Sequence, residues 1–153
     1  MENPELFIEL KLDHHRAYKN TSLGQDLFNK RKFKESLEFF ENLLKESEFF
    51  KKSSYVVNGL LTFGLAAPLT PFLIREKLDP IYKGIAYSSY WLRDYEKSAK
   101  YFDKIYDKSS YDIYMMAWTY HNLKNKSFSE SLFQRSFKMD PRFKELWCPY
   151  SST

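Results

Sequence analysis

Six apolar or small positions of this chain recur, with their character kept, 62 residues further along. Leu23 returns as Ile85, Gly24 as Ala86, Phe33 as Tyr95, Ser36 as Ser98, Phe40 as Phe102 and Leu43 as Ile105. Steps of three and four residues within each group lay these side chains along one stripe of a helix. The polar stretch Asn29-Lys30-Arg31-Lys32 separates the two groups. Each copy therefore reads as two short helices joined by a tight turn. The turn itself is copied, because Arg31-Lys32-Phe33-Lys34-Glu35-Ser36 becomes Arg93-Asp94-Tyr95-Glu96-Lys97-Ser98. A hairpin with one apolar stripe cannot bury it alone, so repeated hairpins must stack. In a third copy Ile85, Ala86 and Ser89 map at offset 31 onto Met116, Ala117 and Tyr120, whereas Tyr95-Glu96-Lys97-Ser98 maps at offset 33 onto Phe128-Ser129-Glu130-Ser131. The two-residue disagreement predicts a longer turn around Asn125 in that hairpin.

These residues resemble the tetratricopeptide repeat family. One copy is filled by Asn20, Leu23, Gly24, Leu27, Phe33, Ser36, Phe40 and Leu43, and another by Tyr82, Ile85, Ala86, Ser89, Tyr95, Ser98, Phe102 and Ile105. Ile113, Met116, Ala117, Tyr120, Phe128 and Ser131 fill a third, closed by Asp140-Pro141. The departures are Asn20 for a large residue, Ser89 for an aromatic, and Asp107-Lys108-Ser109, which lacks the closing proline. The resemblance implies an all-α fold, an α–α superhelix of three clear hairpins plus a degenerate one, whose function is to bind another protein. It divides a single domain, 1–153, into repeats at 17–50, 79–110 and 111–143, a degenerate repeat at 51–78 and a tail at 144–153. In the degenerate unit a first helix over 54–66, a turn over 68–70 and a second helix over 71–78 are expected, ended by Asp79-Pro80. At the start of the chain, Asn3-Pro4 could cap a helix, while Leu6, Ile8, Leu10 and Leu12 alternate with Phe7, Glu9, Lys11 and Asp13 as in a strand.

Net charge of +4 raises the question of nucleic acid, but the excess is dispersed. Residues 17–50 hold six basic and six acidic side chains, interspersed as on a solvated helix, where a backbone-tracking patch needs like charges on one face. Single-stranded nucleic acid, stacked on Tyr and Trp, is thus a lesser alternative. Residues 53–74 carry no charge, which keeps a membrane-associated scaffold open as another, although Pro68 and Pro71 suit a buried, broken helix better. The lone Cys148 cannot form an internal disulfide and fits a reducing compartment, the cytoplasm. No metal or cofactor is expected. His14 and His15 are adjacent and diverge, and His121 has no second ligand at a metal-binding spacing. The four scattered glycines form no phosphate loop, so catalysis is not expected.

A partner-binding groove is the better prediction. In stacked hairpins of this kind the first helices line the concave face. The residues not used by the hairpin core are Tyr18, Ser22, Gln25, Phe28 and Asn29, then Lys83, Tyr87, Tyr90 and Trp91, then Tyr111, Tyr114, Met115, Trp118 and His121. Gln25, Phe28, Lys83, Tyr87, Tyr90, Trp91, Tyr114, Trp118 and His121 are the candidate contacts for a partner polypeptide, since Tyr and Trp are favoured at binding hot spots. The competing reading makes Tyr90, Trp91 and Trp118 core between adjacent hairpins. The Lys/Asn/Arg clamp with which some family members hold a peptide carboxylate is not reproduced, because Thr21, Ser22 and Gln25 stand in its first part. Length and repeat count are similar to those of secretion chaperones that cradle an extended apolar segment, so adaptor, chaperone and inhibitor are the roles implied.

Overall fold

A computed structural model of the chain describes residues 9–12, 20–61 and 70–146. Among the described residues seven helices follow in order: α1 (Ser22–Asn29), α2 (Phe33–Leu61), α3 (Thr70–Trp91), α4 (Tyr95–Lys104), α5 (Ser110–Asn122), α6 (Lys126–Met139) and α7 (Arg142–Leu146). They pair as hairpins α1–α2, α3–α4 and α5–α6, with α2 against α3, α4 against α5, and α7 closing on α6. The architecture is all-α, an α–α superhelix of tetratricopeptide-like hairpins. One cluster of buried apolar side chains runs through it from Leu10 to Phe143.

The repeat is visible in backbone detail. Arg31, Arg93 and Lys124, at spacings of 62 and 31, are the non-glycine residues with positive φ among those described, at 58°, 63° and 60°. Each closes the first helix of its hairpin with the same pair of bonds. Arg31 N donates to Phe28 O and Lys32 N to Leu27 O; Arg93 N to Tyr90 O and Asp94 N to Ser89 O; Lys124 N to His121 O and Asn125 N to Tyr120 O. These bonds satisfy carbonyls that a helix end leaves open, and they hold a left-handed residue that would otherwise cost about 1–2 kcal/mol. Asp94 and Asn125 then cap the next helix, their side-chain oxygens accepting from Lys97 N at 3.1 Å and Phe128 N at 3.4 Å.

The third turn is therefore no longer than the others, contrary to the offset of 33. Offset 31 holds throughout: Ser36, Ser98 and Ser129 are buried at one register position, and Phe40, Phe102 and Phe133 at another. Phe128, the aromatic matched to Tyr95, is instead 41% exposed. The match to Phe128-Ser131 followed residue type alone, whereas burial selects Ser129 and Phe133. The serines explain why small residues face them. Ser36 Oγ donates to Gly24 O and Ser98 Oγ to Ala86 O, each at 2.9 Å, so the second helix is tied directly to the backbone of the first. Neighbouring hairpins are joined through the same hydroxyls, with Ser88 Oγ 3.1 Å from Ser36 Oγ and Thr119 Oγ1 3.2 Å from Ser98 Oγ.

The expected helix boundaries at 51–78 are corrected. Residues 54–61 continue α2, and 71–78 belong to α3, which runs on through Asp79 and Pro80. No Gly or Pro lies between 33 and 58 to stop α2. A proline inside a helix costs about 3 kcal/mol, but Leu78, Asp79, Pro80 and Ile81 are all buried between neighbours, and that packing outweighs it. Asp79 is not a helix end. Its carboxylate accepts from Tyr106 N at 2.9 Å and Asp107 N at 2.8 Å, fixing the link between α4 and α5. Of the expected turn over 68–70, Thr70 begins α3, while 68–69 and the part of the expected first helix over 62–66 lie outside the described residues.

Candidate functional site

Eight of the nine candidate contacts fall at shared register positions along α1, α3 and α5. Gln25, Tyr87 and Trp118 occupy one, Phe28, Tyr90 and His121 a second, and Lys83 and Tyr114 a third, while Trp91 stands at the register of Asn29. Phe28, Tyr87, Tyr90, Tyr114 and Trp118 are buried, whereas Gln25, Lys83, Trp91 and His121 are half-buried. The buried rings form a continuous aromatic chain. Phe28 meets Tyr87 edge-on at 6.3 Å, Tyr87 stacks on Tyr111 at 5.5 Å, and Tyr111 on Phe143 at 6.1 Å. Phe143 stacks on Tyr114 at 4.9 Å, and Trp118 packs edge-on against Phe133 at 5.3 Å. Such pairs add about 0.5–1.5 kcal/mol each beyond burial. The series is a buried seam in which Phe28–Tyr87 and Tyr87–Tyr111 join neighbouring hairpins, Phe143 brings in α7, and Trp118–Phe133 lies within the third hairpin. At its two ends the rings are half-buried: Trp91 stacks on Phe33 at 5.6 Å with an interplanar angle of 12°, and His121 sits edge-on to Trp118 at 5.4 Å.

Burial raises the pKa of these phenols and of Tyr120. Tyr87 is pushed well above the usual range by desolvation and then by the charge of Asp112, Tyr111 and Tyr114 also by burial, and Tyr120 up to about 12 by burial and the Asp103 carboxylate. A phenol with a raised folded pKa contributes stability that is fully present below its unfolded value near 10 and is lost as pH rises through the folded value. Alkaline titration followed by phenolate absorbance should show these four ionising late and together with unfolding, while stability falls from about pH 10 upward. Ordinary titration of all 12 tyrosines near pH 10, with the helix signal intact, would contradict the buried seam.

Lys83 and Tyr87 point to Asp112 at the start of the next hairpin. Lys83 Nζ lies 2.8 Å from Asp112 Oδ2, and Tyr87 OH donates to Asp112 Oδ1 at 2.8 Å. The cation expected to face a partner is therefore engaged inside the stack. The sequence reading gave Asp112 no role, although Ser109-x-x-Asp112 has the spacing of a capping box.

Gln25 and Asn29 do something different, because they hold a stretch of extended chain. Residues 9–12 are neither helix nor sheet, and Leu10 and Leu12 are 3% and 8% exposed while Glu9 and Lys11 face solvent. The strand-like alternation at the start of the sequence thus holds over these four residues. Asn29 Oδ1 accepts from Leu10 N at 2.8 Å while its Nδ2 donates to Leu10 O at 3.3 Å, and Gln25 Oε1 accepts from Leu12 N at 2.7 Å. The carboxamide of Asn29 therefore pairs with both polar groups of one residue, as a neighbouring strand would. The registers match. Two extended residues span about 6.7 Å, and four helical residues about 6 Å, so alternate residues of the segment meet Asn29 and then Gln25 in reverse order. Asn122 occupies the register of Asn29 in the third hairpin, exposed, its Nδ2 turned back to Trp118 O at 2.9 Å.

Among the described residues no group of His, Cys, Asp and Glu could hold a metal ion, and no helix is long and apolar enough to cross a membrane. His14, His15, Tyr18 and Cys148 lie outside the described residues, as does part of 53–74. Compared with known proteins, the chain matches no family model, no curated protein and no solved structure.

Proposed function

We propose that this chain is a tetratricopeptide-type protein–protein interaction module, a non-catalytic scaffold that binds an extended segment of a partner polypeptide along the faces of α1, α3 and α5. The observation that carries the reading is the grip of Gln25 and Asn29 on the main chain of 9–12. Bonds to backbone groups hold a chain whatever its sequence, and alternate side chains then supply the selectivity. Among the nine candidates, Gln25, Trp91 and His121 keep surface to offer directly. Phe28, Tyr87, Tyr90, Tyr114 and Trp118 form the floor, and Lys83 braces it. Adaptor, chaperone and inhibitor all use such a face, and the reducing environment suggested by the single cysteine fits the cytoplasm. The dispersed charge, with Lys83 paired to Asp112 and Lys97 to Glu41, disfavours nucleic acid.

Selection of displayed random peptides against the full chain tests this reading. Enriched peptides should carry apolar residues at alternate positions and should shift the amide and side-chain resonances of Gln25, Asn29, Trp91 and His121. Trp91→Ala should weaken them by at least fivefold, about 1 kcal/mol. No enrichment, or resonance shifts confined to α6 and α7, would count against it.

A further inference from the structure

We infer that residues 9–12 are a built-in occupant of the α1 face, so that a partner segment binds by displacing the chain's own Leu10-Lys11-Leu12. The inference rests on the proposed function for the identity of the competitor but not for the occupancy. Three observations support it. Leu10 and Leu12 are buried with the hairpin core while the intervening Lys11 is exposed, the pattern of a bound extended ligand. The segment is held by three side-chain bonds to its main chain, so any extended chain with apolar residues two apart satisfies the same donors and acceptors. None of these bonds involves a backbone group of α1, whose helix is complete without the segment. Detachment exposes two leucines and leaves two neutral carboxamides to water, so it is a local opening rather than loss of the stack.

An occupied face lowers apparent affinity by the fraction of molecules that are open. If the segment is in place about nine-tenths of the time, freeing the face strengthens external binding about tenfold. The test uses the full-length protein, the full-length variant Leu10→Asp/Leu12→Asp, and a fluorescent peptide spanning residues 5–13. The variant should bind the peptide about tenfold more tightly than the unaltered chain, and adding Asn29→Ala should remove that gain. Equal binding to both proteins, or no binding to the variant while its helix signal and melting are retained, overturns the inference. A variant that no longer folds also overturns it, because the segment would then be an integral part of the core. Hydrogen exchange on the unaltered chain decides independently: the Leu10 and Leu12 amides should open far more readily than those of α3 and α4, and exchange only through global unfolding overturns the inference.

The fates of the two readings separate. Binding of the 5–13 peptide to the opened variant without enrichment of any foreign peptide would leave the occupancy standing and remove the partner. Enriched peptides that bind the unaltered chain and the variant alike would do the reverse. A concentration-dependent dimer that Leu10→Asp/Leu12→Asp abolishes would assign the exchanged segment to a second copy and overturn displacement by a foreign chain.

Discussion

Phe40→Ala should cost about 3–5 kcal/mol, the range for removing a fully buried aromatic ring. The ring of Phe40 lies where three helices meet. A Cβ added at Gly24 on α1 would stand 2.6 Å from its Cζ and 2.5 Å from Phe39 Cδ1, and one added at Gly84 on α3 would press into Cγ, Cδ2 and Cε2 of the same ring. Two glycines on different helices thus make room for one phenylalanine of α2, joining the first hairpin to the second. The ring cannot yield toward either side, because it is fully buried and pressed from both. Gly84→Ala should therefore destabilise through overpacking by about 1–3 kcal/mol, although alanine is the better helix former by up to 1 kcal/mol. Chemical denaturation checks both. In the Phe40→Leu background the cost of Gly84→Ala should shrink, since the smaller side chain leaves space for the methyl group. Equal cost in both backgrounds would show that the clash is not with this ring.

How far such contacts can be read from sequence depends on whether their signature is local. The hairpins were legible because Leu23 to Leu43 and Ile85 to Ile105 repeat in register, and periodicity reports which face of a helix is buried. Gly24 and Ala86 were legible as small positions because the pattern places each opposite a serine twelve residues on. Gly84 was not, since its reason is Phe40, 44 residues away on the neighbouring hairpin. The third turn was misjudged for a related cause: matching the Tyr95 position to the aromatic Phe128 shifted the frame by two, while the positive-φ residues keep their spacing regardless of side-chain type. Pro80 signalled a helix end by local chemistry that tertiary burial overrode. In the candidate site, the periodic pattern left Gln25 and Asn29 outside the stripe of the hairpin core, and both are half-buried. It could not tell whether Tyr87 and Trp118 face a partner or a neighbouring helix, because both environments reward the same rings. The alternation of Leu10 and Leu12 was visible, but its partner, the Asn29 carboxamide, is a single polar residue at the end of α1, in a polar stretch of sequence, and carries no periodic signal.

Asp112→Ala should be the most damaging polar substitution, costing about 3–5 kcal/mol, as expected when one member of a buried charged cluster is removed. The carboxylate is 2% exposed and has two separate tasks. Within its own hairpin, Oδ2 accepts from Ser109 N at 2.8 Å and Ser109 Oγ at 2.7 Å, while Ser109 Oγ accepts from Asp112 N at 3.1 Å, closing a capping box at the start of α5. Across to the preceding hairpin, it receives Tyr87 OH and Lys83 Nζ from α3. Truncation therefore opens the cap, worth about 0.5–2 kcal/mol alone, and strands a buried phenol hydroxyl and a half-buried ammonium. Asp112→Asn should cost nearly as much, because its NH2 group cannot accept from the donors around it. Tyr87→Phe removes one donor without leaving the carboxylate bare, so it should cost about 1.5–3 kcal/mol in the native chain and much less in the Asp112→Ala background. That difference is the coupling a double-mutant cycle measures. Because each hairpin is stabilised chiefly by its neighbours, loss of Asp112 should release the amides of α5 and α6 to hydrogen exchange before those of α1 and the first turns of α2. Uniform loss of protection along the chain, or additive effects of Tyr87→Phe and Asp112→Ala, would mean that this carboxylate caps its own helix without coupling the second hairpin to the third.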